Sequence, residues 1–287
     1  MSLKDENLYF IGGVVRDEML GIPSLDTDYC YEGDAIEFAK QKGLNILREN
    51  PAFGTVRVLF EDKEIDIAST REEFYPQKGH LPVVSNIGCA LKDDLKRRDF
   101  TINAMAKRTT DGEVIDILGG IDDIKSKKLR VLHDKSFEDD PTRILRALKF
   151  SLRFGFTLDE STARFQKEYL KNINYDMSYH RLKKELVETF NLNSQEAYER
   201  FTSEGIYKLL GKSVLLPECH PDFRNLNYSG RHIWLIYLSF FNLDNLELTR
   251  AEKRIIEWAE RLKTEKQTNN TPIESIIINE IYKEAVS

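Results

Sequence analysis

Leu8-Tyr9-Phe10-Ile11-Gly12-Gly13-Val14-Val15-Arg16-Asp17, with Asp26-Thr27-Asp28 soon after it, is the stretch that decides how the chain folds at its start. Residues 8–11 are aliphatic and aromatic and predict a strand, which runs straight into two glycines. Glycines in that position let the backbone approach an anion closely, and Arg16 adds a fixed cation suited to a triphosphate. The same residues also read as a plain tight turn with Arg16 paired to Asp17. Asp26 and Asp28 are two apart, so on a strand predicted over residues 28–31 and its approach their carboxylates share one face. Neighbouring carboxylates repel unless a divalent cation lies between them, and hard oxygen donors beside phosphate favour magnesium. Asp66 alternates with Ile65 and Ile67 in another predicted strand, residues 64–68, and is a candidate third carboxylate on a neighbouring strand. Its plainer alternative is a charge on an edge strand.

Composition bounds what such a site can belong to. With 287 residues, 41% hydrophobic and 31% charged, the chain can bury a substantial core and is long enough for two domains. Cys30, Cys89 and Cys219 are scattered and form no C-x-x-C pair, which supports neither a disulfide framework nor a zinc site and suits a reducing cytoplasm. His80, His133, His220 and His232 lack ligand spacing and read as loop or surface residues. No signal-peptide pattern is present, and the longest apolar run, 232–241, is too short to span a membrane. Neither secretion nor membrane insertion is expected. A net charge of −6 argues against indiscriminate nucleic-acid binding and leaves room for a local basic surface.

The texture changes once, near residue 135. Before it, strands predicted at 8–11, 28–31, 55–60, 64–68 and 114–116 alternate with helical stretches at 34–42 and 93–107. From Asp140 onward the period is helical almost to the end, with a last helix after a loop at 267–272. The expected fold class is α+β, an α/β head over residues 1–135 and an all-helical region over 136–287.

Four motifs then stand in a recognisable order. Gly12-Gly13-Val14-Val15-Arg16-Asp17, Asp26-Thr27-Asp28, residues 97–106 (Arg-Arg-Asp-Phe-Thr-Ile-Asn-Ala-Met-Ala) and residues 140–147 (Asp-Pro-Thr-Arg-Ile-Leu-Arg-Ala) resemble the class II tRNA nucleotidyltransferases and bacterial poly(A) polymerases. The resemblance covers about residues 8 to 190. It implies a polymerase-beta-like head with a mixed sheet, followed by helical neck and body. By the resemblance, Asp26 and Asp28 hold Mg2+ and Asp66 joins them in catalysis. Gly12, Gly13 and Arg16 face the triphosphate, Arg98 and Asp99 the sugar with Asn103 in support, and Asp140 and Arg143 the base edge. Arg146 is placed with them as nucleotide-binding. Asp99 as a helix cap, and Asp140 followed by Pro141 as an N-cap, are readings that stay open beside these roles.

Other segments add detail. Over residues 140–154, Ile144, Leu145, Leu148 and Leu152 share one predicted helical face, and Arg143, Arg146, Lys149 and Arg153 the other. Residues 72–86 read as a mobile loop similar to one that family members need for the final AMP step and that CC-adding enzymes tend to lack. Ser178-Tyr179-His180-Arg181 with Glu185 resembles the last helical motif of the family and reads as a structural helix. The reading reached is a template-independent, magnesium-dependent nucleotidyltransferase of the cytoplasm that adds CCA, or part of it, to a tRNA 3′ end from CTP and ATP. Homo-oligomerisation is left open. The alternatives are a poly(A) polymerase or A-adding enzyme of the same fold, a catalytically silent RNA-binding protein, and a small-molecule nucleotidyltransferase.

Overall fold

Side chains of the first strand, β1 (Leu8–Ile11), alternate between two apolar layers. Leu8 packs with Tyr29, Ile36, Phe38, Val56 and Ile67, whereas Tyr9 and Ile11 pack with Cys30, Leu91, Leu95 and Ala106. That is the period of two that a sheet buried on both faces requires. The computed structural model describes residues 3–24 and 27–286. The chain divides into two compact units, residues 1–139 with 157–163, and residues 140–156 with 164–287.

In the first unit β1 is followed by α1 (Gly13–Leu20), β2 (Asp28–Tyr31), α2 (Ala35–Gln41), β3 (Asn45–Asn50), β4 (Thr55–Phe60) and β5 (Lys63–Ser69). Next come β6 (Arg71–Phe74), β7 (Val83–Ile87), α3 (Leu91–Lys96), β8 (Ala106–Arg108), β9 (Val114–Ile115), α4 (Gly120–Lys125), β10 (Lys128–Leu129), α5 (Ser136–Asp139) and, further on, β11 (Thr157–Leu158). One sheet runs β3-β4-β5-β2-β1-β8-β9. Only β2 and β5 pair in parallel within it, so the sheet is mixed. α2 starts where Asp34 accepts from the amides of Ile36 and Glu37, a side-chain N-cap.

Three expectations need correction here. Residues 93–107 do not form one helix: α3 stops at Lys96, a 3₁₀ turn covers Thr101–Asn103, and β8 follows. Phe100, Ile102, Ala104, Met105 and Ala106 are all fully buried, which one face of a helix cannot achieve, and the Thr101 amide donates to the Arg130 carbonyl instead of into a helical ladder. Residues 72–86 are not simply a loop, because β6 and β7 form a two-stranded hairpin with Phe74 opposite Val83. The glycine stretch is more than a turn, since α1 begins at Gly13.

The second unit is helical, with α6 (Thr142–Phe154), α7 (Glu160–Tyr169, its first residues counted with the first unit), α8 (Tyr179–Phe190), α9 (Gln195–Ser203), α10 (Ile233–Leu238), α11 (Arg250–Arg261) and α12 (Ile273–Val286). All six residues of α10 are buried, against α8 and α12, which accounts for the apolar run in the sequence. No helix is long and apolar enough to cross a membrane among the described residues. His232 is not a surface histidine: it is mostly buried, with Nδ1 3.2 Å from Glu274 Oε1, which also accepts from the Tyr228 hydroxyl at 2.5 Å.

Candidate active site

The chain leaves β1 at Gly12, whose φ of +65° belongs to the left-handed region that side chains disfavour. The Gly12 amide donates to the Met105 carbonyl and its carbonyl accepts from the Arg16 amide, each at 3.1 Å, so the turn is fastened to the 101–105 segment and to α1. A Cβ on Gly12 would stand 3.1 Å from Arg98 Nη1, so the Arg98 guanidinium lies over the bare glycine. Gly13 then opens α1.

Arg16 is 5% exposed. Its Nε and Nη2 donate to Asp17 Oδ1 at 2.8 and 2.6 Å, and its Nη1 to Asn103 Oδ1 at 2.6 Å. The Arg16–Asp17 pair suggested as the plain reading is therefore present, but it is one link of a longer chain. Asn103 Nδ2 donates to Asp99 Oδ1 at 3.0 Å, and the same oxygen accepts from the Phe100 amide at 2.8 Å. Asp99 fastens Asn103 and does not cap a helix, since the 3₁₀ turn after it has Phe100 at its N-cap with no side-chain cap. Arg16 is thus brought to Asn103, 87 residues on, and through it to Asp99, and Arg98 over Gly12 stands beside them.

Arg98 is oriented by a residue that the sequence reading does not single out. Asp94 is fully buried; its Oδ2 accepts from Arg98 Nε and Nη2 at 3.3 and 2.9 Å, and its Oδ1 from Arg97 Nε and Nη2 at 2.9 and 2.7 Å. Burial alone would push the Asp94 carboxyl up, but the Arg98 and Arg97 guanidiniums outweigh it and hold the group below its ordinary range. The signal was its place three and four residues before two arginines, neighbours on a helix surface.

Asp28 opens β2, exposed, and lies in register beside Asp66 of β5. Parallel strands in register put both carboxylates on one face with backbones about 4.8 Å apart. Asp66 is held by Arg57 of β4, through Nε to Oδ1 at 2.8 Å and Nη2 to Oδ2 at 2.7 Å. Asp26 lies outside the described residues. The donors Asp28 and Asp66 are hard oxygens, chemically suited to a hard divalent cation. Among the described residues no cluster of three or more His, Cys, Asp or Glu side chains is gathered for a metal.

In the second unit Asp140 Oδ1 accepts from the Thr142 amide at 3.1 Å and hydroxyl at 2.6 Å, just before α6, while Oδ2 accepts from Arg181 Nη2 at 2.5 Å. The side chain therefore braces the helix start from one residue outside it, since the N-cap position of α6 is Pro141 and carries no side-chain cap. Arg143 is 4% exposed, not part of an open basic face. Arg146 and Lys149 are tied as well: Glu185 Oε1 accepts from Arg146 Nη1 at 3.2 Å, Glu185 Oε2 from Lys149 Nζ at 2.7 Å, and Glu188 Oε2 from Lys149 at 2.5 Å. Of the basic face expected from the sequence, Arg143 is buried, Arg153 is exposed, and only Arg146 and Lys149 meet the acids of α8. Ser178 caps α8 through the Arg181 amide. The 178–185 motif thus supplies partners to α6, which the sequence reading left as a structural helix alone.

Residues 8–130 match the poly A polymerase head domain. Over 167 residues the chain is 45% identical to the A-adding tRNA nucleotidyltransferase of Aquifex aeolicus, covering 56% of this chain and 20% of that protein. It is 38% identical over 223 residues to the A-adding tRNA nucleotidyltransferase of Geobacter sulfurreducens, covering 75% of this chain and 24% of that protein. Among solved structures, a CCA-adding enzyme in apo form II superposes with a TM-score of 0.77 at 28% identity, covering 97% of this chain and 78% of that one. The matched regions are 20%, 24% and 38% of the length of the first three curated relatives.

Proposed function

Since the chain belongs to the class II tRNA nucleotidyltransferase and poly(A) polymerase family, whose members generally use a divalent metal, we propose that it extends the 3′ end of tRNA from CTP and ATP, releasing pyrophosphate. The observation that carries this reading is the chain Asp17–Arg16–Asn103–Asp99 next to a left-handed glycine turn overlain by Arg98. Cationic forks held in fixed geometry beside bared backbone are what a triphosphate requires, and they lose little conformational freedom on binding it.

Roles follow from motif order and from the chemistry of each side chain. Gly12, Gly13, Arg16 and Arg98 orient the phosphates. Asp99, which fastens Asn103 and the Phe100 amide, is assigned to a ribose hydroxyl by its place in the 97–106 motif. Asp140 and Arg143 address the base edge, whose exocyclic amine and ring acceptor distinguish C and A from U and G. Asp26 and Asp28 would hold magnesium, with Asp66 as the third carboxylate; the ion, when bound, makes the RNA 3′-hydroxyl a better nucleophile and offsets charge on the phosphates. Arg146, engaged by Glu185, supports α6. With tRNA as its substrate, we assign the protein to the cytoplasm.

A narrower reading, addition of the terminal A alone, is favoured by the 45% identity to an A-adding enzyme. The decisive experiment offers the protein tRNAs ending before the first C, after CC, and complete, each with CTP, ATP or both. Full CCA synthesis on the first supports the broad reading; ATP use on the CC-ending tRNA only supports the narrow one. Long A tracts on any RNA would make it a poly(A) polymerase, and no incorporation at all would leave an RNA-binding protein.

A further inference from the structure

We propose that Glu73, in the first strand of the β6–β7 hairpin, is a positioning residue for Arg98. The inference rests on the nucleotidyl-transfer reading for its kinetic consequence and on geometry alone for its structural one. The Glu73 side chain is 5% exposed, with Oε1 accepting from Arg71 Nε at 2.6 Å and Oε2 standing 3.2 Å from Arg97 Nη1. Arg97 Nε also donates to the Arg71 carbonyl at 3.1 Å, and the Arg71 amide donates to Asp94 Oδ1 at 3.1 Å. Glu73 and Asp94 therefore share Arg71, Arg97 and Arg98 between them. Two carboxylates facing three guanidiniums leave one positive charge in excess among these five side chains.

That excess is placed by the division of labour. Glu73 takes Arg71 and one arm of Arg97, so Asp94 needs only Oδ1 for Arg97 and keeps Oδ2 for Arg98. Arg98 has no bond to Glu73 and lies over Gly12, where the cation meets the glycine turn. With Glu73 neutral, one buried carboxylate faces three guanidiniums, and in a poorly solvated site such an imbalance is costly. Arg97 and Arg71 then draw on both oxygens of Asp94, and Arg98 loses its anchor. The root of the hairpin, and not α3 alone, sets the Arg98 fork.

The test compares the full-length wild type, Glu73→Gln and the charge-rebalanced double variant Glu73→Gln/Arg71→Gln, in which one carboxylate again faces one guanidinium too many. The Arg98 Nε–H resonance, assigned by its absence in Arg98→Lys, is expected to be protected in the wild type, lost to exchange in Glu73→Gln and recovered in the double variant. In single-nucleotide addition, kcat of Glu73→Gln is expected to fall about tenfold or more, with KM for the nucleotide changing far less, because a misplaced group costs the transition state while the cations remain. The double variant should regain most of kcat. An unchanged Arg98 resonance in Glu73→Gln overturns the inference, as does a double variant worse than the single, which is the result expected of a purely structural glutamate. A wild type with a protected resonance and no transfer defeats the functional reading instead. If Glu73→Gln does not fold, the double variant decides: folding with a protected Arg98 supports the inference, and failure to fold overturns it.

Discussion

The glycine turn of the first unit and the start of α6 in the second both hold arginines against buried carboxylates, and they differ in what the pairing does with those arginines. Around the turn, Asp94 and Glu73 bind Arg71, Arg97 and Arg98, and Arg98 is left lying over Gly12 beside the Arg16–Asp17 pair. Around α6, Asp140 pairs with Arg181, and Glu185 and Glu188 with Arg146 and Lys149, while Arg143 is buried in the same helix. The first arrangement suits a polyanion, because it fixes a guanidinium fork over bared backbone, where phosphate oxygens can meet it. The second spends its charges on geometry and suits a neutral partner, such as a base edge read by hydrogen bonds. A count of basic residues along α6 would have suggested a second polyanion site, and the ion pairs show why that count misleads.

The largest effect expected from this contrast is at the strand end beside the turn. If Asp28 serves the chemistry, Asp28→Ala should lower the single-turnover rate at least about a thousandfold, or roughly 4 kcal/mol, with an unchanged melting temperature. Asp28 is exposed, and its removal takes away a like charge beside Asp66. Transfer within tenfold of wild type would remove Asp28 from the site.

The two regions should also differ in stability. Asp94→Asn strips a fully buried carboxylate from two guanidiniums and is expected to cost about 3–5 kcal/mol in urea denaturation at pH 7. Glu185→Gln keeps a polar group in a partly open pair and should cost less, about 1–3 kcal/mol. The acid side sharpens this. Because the Asp94 carboxyl lies below its ordinary value when folded, its stabilisation is complete above that value and fades as pH falls through the lower, folded one. The gap between wild type and Asp94→Asn should therefore hold steady from neutral pH down to about 5 and shrink below about 4. A gap that widens in acid, or a larger cost for Glu185→Gln, would break the comparison.

Much of this arrangement was legible before the structure. The strands at Leu8–Ile11, Asp28–Tyr31 and Thr55–Phe60 follow from short apolar runs ended by glycine or charge, and they fall where the sequence puts them. The site residues Arg16, Asp99 and Asn103 were readable as a group only through motif order, since nothing local says that an arginine at 16 meets an asparagine at 103. Residues 97–106 were misread because their apolar density suits a helix equally well. What makes them irregular is burial on every side, a property of the surroundings and not of the segment. Asp94 was within reach through its helical spacing to Arg97 and Arg98, whereas the ties of Glu73 to Arg97 and of Arg181 to Asp140 were not: they span 24 and 41 residues.

The smallest expected effect is the most discriminating, and it concerns Asp140. An asparagine there could still accept from Thr142, but its amide nitrogen would face Arg181 with a donor where an acceptor is needed. Asp140→Asn should therefore lose about 1 kcal/mol or somewhat more of stability even if it caps α6 as well as before, so the melting temperature alone cannot separate capping from base reading. Arg181→Gln provides the control: it removes the same ion pair and leaves the Asp140 carboxylate in place. If Asp140 reads the base, Asp140→Asn should raise incorporation of UTP or GTP relative to ATP several-fold while Arg181→Gln, at similar stability, changes the ratio little. If Asp140 acts only through helix geometry, both variants should shift the ratio alike or not at all. Incorporation ratios under competing nucleotides, measured on the two variants side by side, decide between these, and equal ratios would assign the base edge to Arg143 without its neighbour.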